Sequence, residues 1–289
     1  MVNHLHIDPF SGIAGDMFLG ALVDLGVPLD QVRAALGKLP VERPYEITTR
    51  RVYRHGIGAI DLKVCLLGEP QAASDLSGHH QHQHDHQHEH AHEQTHQHHG
   101  HAHGDGHHHH HTGYREIMGM VEQLDTTDRG RARAERVVTR LAEAEARVHG
   151  KSLDDIHFHE VGAVDSIVDM LGSVVALELL DIETLSCGPL PLNRGFVRCD
   201  HGMMPVPAPA TAYLMADMPT VGVDRVGELV TPTGAALAAG LCGRFGTAPP
   251  MTLGDTGYGA GDRDTPDLPN LLRLMLGKTG EPIGPIQPH

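Results

Sequence analysis

The sequence predicts an α/β protein, a mixed sheet flanked by helices and carrying a disordered histidine-rich insertion; a mixed α+β arrangement stays open. Stretches that alternate polar and apolar residues, such as YEITTRRVYR, interleave with stretches of helical spacing. The hydrophobic share of 40% supports a core, and with aromatics at only 3% that core must be built from Leu, Val, Ala and Met. Between positions 79 and 111 the composition changes abruptly, with 18 histidines in 33 residues.

Local signals predict the elements of the first half in order. Val2 to Asp8 alternates as a short strand and is followed by proline. GDMFLGALVDLG has helical spacing, with Gly26 as its stop, and a second short helix is expected over Asp30 to Leu39. YEITTRRVYR and GAIDLKVCLL flank His55-Gly56, which predicts a strand pair joined by a tight turn.

The second half contains more helix. We expect an amphipathic helix over Arg129 to His149, a capping box formed by Ser152 with Asp155, and a buried helix over Gly162 to Leu180. Two small helices are expected near Ala208 and at TPTGAALAAGL, and GYGAGDRDTPDLPNLLRLMLG reads as strand, loop and strand. The predicted organisation is one α/β domain over 1–78 and 112–277, the insertion over 79–111, and a Pro/Gly-rich tail over 278–289.

Charge and cysteine usage narrow the class of protein. Lys plus Arg number 22 against 37 for Asp plus Glu, a formal charge of -15 that disfavours nucleic acid and anionic membranes as partners. No apolar run approaches the ~18 residues that a membrane span requires. The four cysteines are widely spaced and form no CxxC pair, and the N-terminus lacks the features of a secretory signal. We therefore expect a cytoplasmic protein in a reducing compartment.

The histidine-rich segment is predicted to bind metal ions. Neutral imidazole favours borderline divalent metals such as nickel, and a flexible tract can gather several rings without a preformed cavity. Such a tract suits capture and storage, whereas catalysis requires fixed geometry. Its position inside the chain argues against an expression tag. The ligands singled out are His79, His82, His84, His86, His88, His90, His107 and His109.

A second metal site is predicted at IHFHEVGAVDSIVD, where polar residues stand in an apolar stretch. An extended segment would project His157 and His159 on one face, next to Glu160. A helix beginning near position 163 would place Asp165 and Asp169 on one face, four residues apart. These groups could converge on one cation; hydrogen-bonded core histidines and ordinary surface acids are an equally open reading.

Three further groups of candidates come from element ends. Asp8 ends the first strand and Asp16 opens the first helix, so both are expected to share a cleft with His157, His159 and Glu160. The HxH pair before Asp8 is similar to the first strand of metal-dependent hydrolases built on α/β barrels, but this chain lacks the period of eight βα units that such a barrel needs. Plain strand histidines are the other reading. Two turns could bind an anion through their amide groups: one is formed by Ser11 with Gly12, the other by Thr231 with Thr233. The turn at Thr231 is equally well explained as the capped start of an ordinary helix.

Five stretches taken together resemble the nickel insertion proteins of the LarC type. In chain order they are IDPFSGIAGDMFLGALVDLG, HFHEVGAVDSIVDMLG, HGMMPVPAPAT, GELVTPTGAALAA and GYGAGDRDTPDLPNLLRL. The resemblance implies insertion of Ni(II) into pyridinium-3,5-bisthiocarboxylic acid mononucleotide. This step completes the nickel-pincer cofactor of lactate racemase and related enzymes and makes the protein a nickel chelatase of the lyase class.

The same resemblance implies CTP hydrolysis assisted by Mn or Mg. Full-length family members carry a further C-terminal domain associated with CTP, and GEPIGPIQPH resembles a linker; CTP binding is therefore expected from a domain or chain beyond these residues. Loss of a ring proton would need an acceptor, for which Glu160 and His201 are candidates. A nickel store or chaperone without catalytic activity is the alternative function, and a homo-oligomer stays open.

Overall fold

The computed structural model describes residues 1–68, 112–158, 163–199, 201–263 and 265–280. Apart from Gly68, the described residues belong to one compact unit. The histidine-rich insertion over 79–111 and most of the predicted tail lie outside the described residues.

The described chain alternates helices and strands throughout, as the sequence predicts for an α/β protein. The helices are α1 Gly15–Asp24, α2 Leu29–Leu36, α3 Tyr114–Gln123, α4 Asp128–His149, α5 Val164–Leu179, α6 Pro209–Leu214 and α7 Pro232–Leu241. The strands are β1 Val2–Asp8, β2 Tyr45–Arg54, β3 Ile57–Leu66, β4 Thr184–Cys187, β5 Leu190–Arg194, β6 Phe196–Cys199, β7 Gly202–Pro205, β8 Thr220–Val226, β9 Arg244–Phe245, β10 Thr252–Ala260 and β11 Leu271–Thr279.

Seven of these strands form one mixed sheet in the order β2-β3-β10-β11-β1-β4-β9. β1 is paired antiparallel with β11 and parallel with β4, so strands from both ends of the described chain are neighbours inside the sheet. Two small two-stranded sheets, β5-β8 and β6-β7, complete the strand set. The mixed sheet confirms the predicted class and adds the strand order, which the sequence does not reveal.

Helix α1 lies directly on the sheet and under α5, which buries Phe18, Leu19 and Leu22 completely. Glycines on β10 make this approach close. A Cβ on Gly259 would lie 1.8 Å from the Met17 carbonyl oxygen, a distance that no side chain tolerates. Helix and strand backbones are therefore in contact, and the N-terminal end of α1 is fixed against the sheet.

Most predicted elements are confirmed, and two local predictions are wrong. The β2-β3 turn uses positive φ at His55 and Gly56, as a two-residue hairpin turn requires. Helix α2 ends at Leu36, short of the predicted boundary, because Gly37 follows it and the chain turns there. Ser152 does not cap a helix through its side chain. Its hydroxyl donates to the Asp155 carboxylate at 2.7 Å, before a short 3-10 turn.

No helix among the described residues combines the length and the apolar character that a membrane crossing needs.

Candidate functional site

A cavity of about 300 Å³ opens where three helices begin. The N-terminal ends of α1, α5 and α7 form most of its wall, and β3 and the loop after β10 close it. Four carboxylates and one ammonium group reach its surface, so its formal charge is negative. The ionisable residues of the lining are Asp16, Lys63, Asp165, Asp169 and Asp262.

Asp16 stands in the first turn of α1, where the helix has no side-chain cap at Ala14. Its Oδ1 accepts a hydrogen bond from the Met17 amide at 2.8 Å, and its Oδ2 lies 3.1 Å from the Lys63 ammonium. Burial raises the pKa of Asp16 above its usual value, although Lys63 opposes that shift. The carboxylate is thus held at the cavity wall by its own helix and by one cation.

Asp165 and Asp169 share one face of α5, as the four-residue spacing predicts. Asp165 is at the helix start, and its Oδ1 accepts from the Ser166 amide at 2.7 Å. Asp169 lies one turn deeper and is buried, and within the described chain its Oδ1 has no hydrogen-bond partner. Burial, followed by the charges of Asp16 and Asp165, raises the pKa of Asp169 well above its usual value.

The two threonines at the start of α7 also line the cavity, and their hydroxyls bond within the protein. Thr231 Oγ1 accepts from the Gly234 amide at 3.2 Å, as an N-cap does. Thr233 Oγ1 accepts from the Gly15 amide at 3.2 Å and lies 3.0 Å from Thr231 Oγ1. Since one hydroxyl must donate to the other, a single hydroxyl hydrogen of the pair remains for a ligand.

Lys63 is the central cation of the site, and sequence reasoning missed it. Its ammonium contacts Asp16 and Asp262, and it lies 3.5 Å from Asp61 Oδ1. Burial acts to lower the pKa of Lys63, but Asp16 and Asp262 outweigh burial and hold it above its usual value. The alternation of residues along β3 indicates which face of the strand Lys63 occupies, but not which residues lie next to it. Asp262 comes close to Lys63 because β3 pairs with β10.

The other predicted strand-end ligand, Asp8, does not line this cavity. Its carboxylate accepts two hydrogen bonds from Arg273, its antiparallel neighbour across β1 and β11. The preceding histidines are buried in the sheet: His4 bonds to Thr184 and Ser186, and His6 to Ser186, each at 2.8 Å. Burial, assisted by His6 and Arg244, lowers the pKa of His4 to about 4. These contacts are typical of hydrogen-bonded strand histidines.

Ser11 and Gly12 form a tight turn beside α7. The Gly12 amide donates to the Pro9 carbonyl at 3.0 Å, and a Cβ on Gly12 would meet the Leu229 carbonyl oxygen at 2.2 Å. Gly12 has φ +122, so this position requires glycine for backbone reasons. Ser11 is buried, and within the described chain its hydroxyl has no hydrogen-bond partner.

The remaining predicted residues fall into two groups. His157 is exposed beside Gly113, and His201 is exposed with its ring 5.1 Å from that of His149; neither lines the cavity. His159, Glu160 and the predicted histidines of 79–111 lie outside the described residues. Within the described ranges, no three His, Cys, Asp or Glu side chains surround a common point as metal ligands.

Comparison with known proteins identifies the family. The family model described as nickel insertion protein matches residues 5–285, nearly the whole chain. This chain belongs to the nickel insertion protein family.

Curated relatives in this family carry the printed name "Putative nickel insertion protein". The relative from Citrifermentans bemidjiense is 43% identical over 279 residues, which are 96% of this chain and 62% of the relative. Those from Syntrophotalea carbinolica and Geotalea uraniireducens are each 42% identical, over 96% and 95% of this chain and 60% of each relative. The chain thus spans about three fifths of the length of these relatives. No solved structure is detectably similar to it.

The cavity lies in the part of the chain that resembles the nickel insertion family. Four of the five stretches that carry the resemblance supply most of its lining: the α1 start, the α5 start, the α7 start and the loop after β10. In a nickel insertion protein the metal is cargo, and carboxylate oxygens are weaker nickel ligands than sulfur. A carboxylate-lined cavity therefore suits an ion that must be passed on.

Proposed function

We propose that this chain delivers Ni(II) and inserts it into pyridinium-3,5-bisthiocarboxylic acid mononucleotide, forming the nickel-pincer cofactor of lactate racemase-type enzymes. The activity is that of a nickel chelatase, a cyclometallase of the lyase class. Family membership supports nickel insertion, and the resemblance to LarC-type proteins supplies the substrate. We further propose a cytoplasmic location, which the three free thiols at Cys65, Cys187 and Cys242 support.

The observation that carries the proposal is the meeting of Asp16, Asp165 and Asp169 at one cavity. Oxygen ligands hold a borderline divalent metal less tightly than thiolates do, so transfer to the two sulfur atoms of the substrate is favourable. The volume of about 300 Å³ is at the lower end of small-molecule sites, and the cavity is open to solvent on one side. The acceptor can therefore reach the metal from the open side.

The substrate also carries a phosphate and must lose a ring proton. We propose that phosphate binding uses the free hydroxyl hydrogen of the Thr231–Thr233 pair at the cavity, together with the Ser11–Gly12 turn, which is not part of the cavity lining. When the metal–carbon bond forms, the electron pair of the C–H bond passes to the new bond and the proton leaves to a base. Glu160 and His201 remain the proposed acceptors. CTP with Mn or Mg would act through a domain such as the part of the relatives that this chain does not cover.

Direct assay of insertion tests this function. Purified protein is incubated with Ni(II) and the pyridinium mononucleotide, with and without CTP and Mg, and the nickel-containing product is detected by mass spectrometry. We expect product with the unmodified chain when a separately supplied C-terminal domain of a relative is present. Asp165→Asn, His159→Ala and Glu160→Gln should each abolish it, whereas Lys38→Met, at an exposed pair with Asp125, should not.

Absence of product from the unmodified chain under all of these conditions would overturn the insertion proposal. Full activity in folded Asp165→Asn, with a circular dichroism spectrum unchanged, would instead remove the cavity from the mechanism.

Storage or delivery without catalysis is the second candidate, and the composition of 79–111 favours it. Deleting 79–111 separates the two functions. A chelatase keeps its activity when nickel is in excess, whereas a store loses most of its bound metal.

A further inference from the structure

Apart from the one free hydroxyl hydrogen of the Thr231–Thr233 pair, the cavity offers little to an anion, even though three helices begin at it. The amide of Met17 already donates to Asp16, and the amide of Ser166 to Asp165. The start of α7 is capped by Thr231. Carboxylates of the chain therefore occupy the positive ends of α1 and α5. With four carboxylates against one ammonium, the remaining potential of the cavity attracts cations.

A second observation at this cavity points to a missing cation. Asp169 Oδ1 is buried and unpartnered within the described chain, and its residue is only 9% exposed. A buried acceptor without a donor is costly, and native proteins leave such groups where a proton, water or ion completes the site. Gly15 gives the Asp169 side chain its space, because a Cβ there would lie 3.1 Å from Oδ2. The cost falls when a cation reaches this oxygen.

Lys63 already provides part of that missing charge. Its ammonium lies 3.1 Å from Asp16 Oδ2 and is also paired with Asp262, yet Asp165 and Asp169 make no ion pair with it in the described chain. The lysine side chain is 36% exposed, so the ammonium has room to move away from Asp16 towards solvent while it stays paired with Asp262. In this arrangement, with the ammonium beside Asp16, no three ligand side chains of the described chain surround a common point.

We propose that Asp16, Asp165 and Asp169 together bind one divalent metal ion, and that Lys63 is a tethered counter-ion which leaves Asp16 as the metal enters. This inference deepens the proposed function, since the ion held here would be the one passed to the substrate. The lysine keeps the empty site neutral enough to stay folded and lowers its affinity, so the metal is held weakly and released. At Asp16, the entering metal ion thus replaces the Lys63 ammonium as the partner of the carboxylate.

Lys63 and the three aspartates should affect the metal affinity in opposite directions. Removing a nearby positive charge should strengthen metal binding, whereas removing a ligand should weaken it. A purely structural ion-pair network predicts neither effect: loss of Lys63 would only destabilise the fold.

Binding of Mn²⁺ to the full chain, followed by electron paramagnetic resonance without substrate, tests the proposal. Mn²⁺ is the probe because it prefers oxygen ligands and stands lowest in the affinity order for imidazole sites, which limits the contribution of the histidine-rich segment. We expect Lys63→Met to tighten binding and Asp169→Asn to weaken it, each by about tenfold or more. Lys38→Met, a matched change at an exposed pair, should leave the affinity unchanged.

Lys63→Met binding that is unchanged or weaker would overturn the proposal, as would unchanged binding in Asp169→Asn or no Mn²⁺ binding by the unmodified chain. Lys63→Gln, which keeps a polar end, replaces Lys63→Met if thermal unfolding shows that the methionine variant is unfolded. Because this readout contains no substrate, it is separate from the insertion assay. Tightened Mn²⁺ binding without product would leave the metal site standing and the proposed function refuted.

Discussion

Gly15 at the start of α1 lies against the side chain of Asp169 on α5. A methyl group on Gly15 would stand 2.8 Å from the Asp169 Cβ and 3.1 Å from its Oδ2. The Gly15 amide also donates to Thr233 at the start of α7. One residue without a side chain therefore joins the three helices that form the cavity, and its size decides where the buried carboxylate can sit.

Gly15→Ala is expected to destabilise the protein and to disturb the cavity. The added methyl group overlaps the Asp169 Cβ, so α1 or α5 must shift, at a cost of about 1–3 kcal/mol in the free energy of unfolding. Denaturant unfolding measures the change. The matched control is Gly119→Ala in α3, where nothing lies within 4 Å of the new methyl group and a helix-interior glycine is replaced; stability should rise by up to about 1 kcal/mol. Equal behaviour of the two variants would contradict the packing argument.

Arg133→Met should cost about 3 kcal/mol of unfolding free energy, because it removes the buried one of the two guanidinium partners of the Glu178 carboxylate. Arg133 lies 2.6 Å from Glu178, both side chains are only 5% exposed, and the guanidinium also donates to the Ile182 carbonyl. Arg129 continues to pair with Glu178 and limits the loss. Chemical unfolding monitored by circular dichroism checks the value.

Arg140→Met, on the same helix, is the control for Arg133. Its pair with Glu143 is exposed on both sides, so stability should hardly change. A similar loss in both variants would mean that burial of the pair is irrelevant.

Acid should destabilise the protein through His4. Burial holds its folded pKa at about 4, below the 6.5 of the unfolded chain. Below pH 6.5 His4 is protonated in the unfolded state but stays neutral in the folded state until the pH reaches about 4. The stability present above pH 6.5 is therefore lost as the pH falls towards about 4. The loss from this group is at most about 3 kcal/mol.

His4→Gln isolates this contribution. The variant removes the titrating group, so its unfolding free energy should fall less steeply over the same pH range, whatever its absolute stability. Parallel pH profiles for the two proteins would rule out His4 as the source.

The histidine-rich segment over 79–111 is expected to bind several metal ions weakly and to release them as pH falls through about 6, since a protonated imidazole cannot coordinate. Calorimetric titration with Ni(II) at about pH 7.5 and about pH 5.5 measures this. The chain lacking 79–111 provides the baseline. Binding that is equal at the two pH values would exclude imidazole as the ligand.

Sequence reasoning predicted the parts of the site that lie within one element. The spacing of Asp165 and Asp169 placed them on one face of α5, and Asp16 followed from the start of α1. It missed Lys63 and Asp262, because their contact depends on β3 pairing with β10, far apart in the chain.

Asp8 illustrates the same limit. It does end a strand, as predicted, but the antiparallel register places Arg273 beside it, and that ion pair was not visible from local pattern. The shared cleft predicted for Asp8, Asp16, His157, His159 and Glu160 stays a prediction in part, because His159 and Glu160 lie outside the described residues. Of the described members, only Asp16 lines the cavity.

The pairing of β1 with β11 has a consequence for synthesis on the ribosome. Residues 2–8 leave the ribosome early, yet the strand that covers their antiparallel edge, Leu271–Thr279, is the last one made among the described elements. Until then β1 and β10 lack their shared neighbour, and exposed strand edges are where nascent chains aggregate. The central sheet therefore cannot be completed before residue 279 has been synthesised. A chain that stops before β11 should depend on chaperones for its solubility.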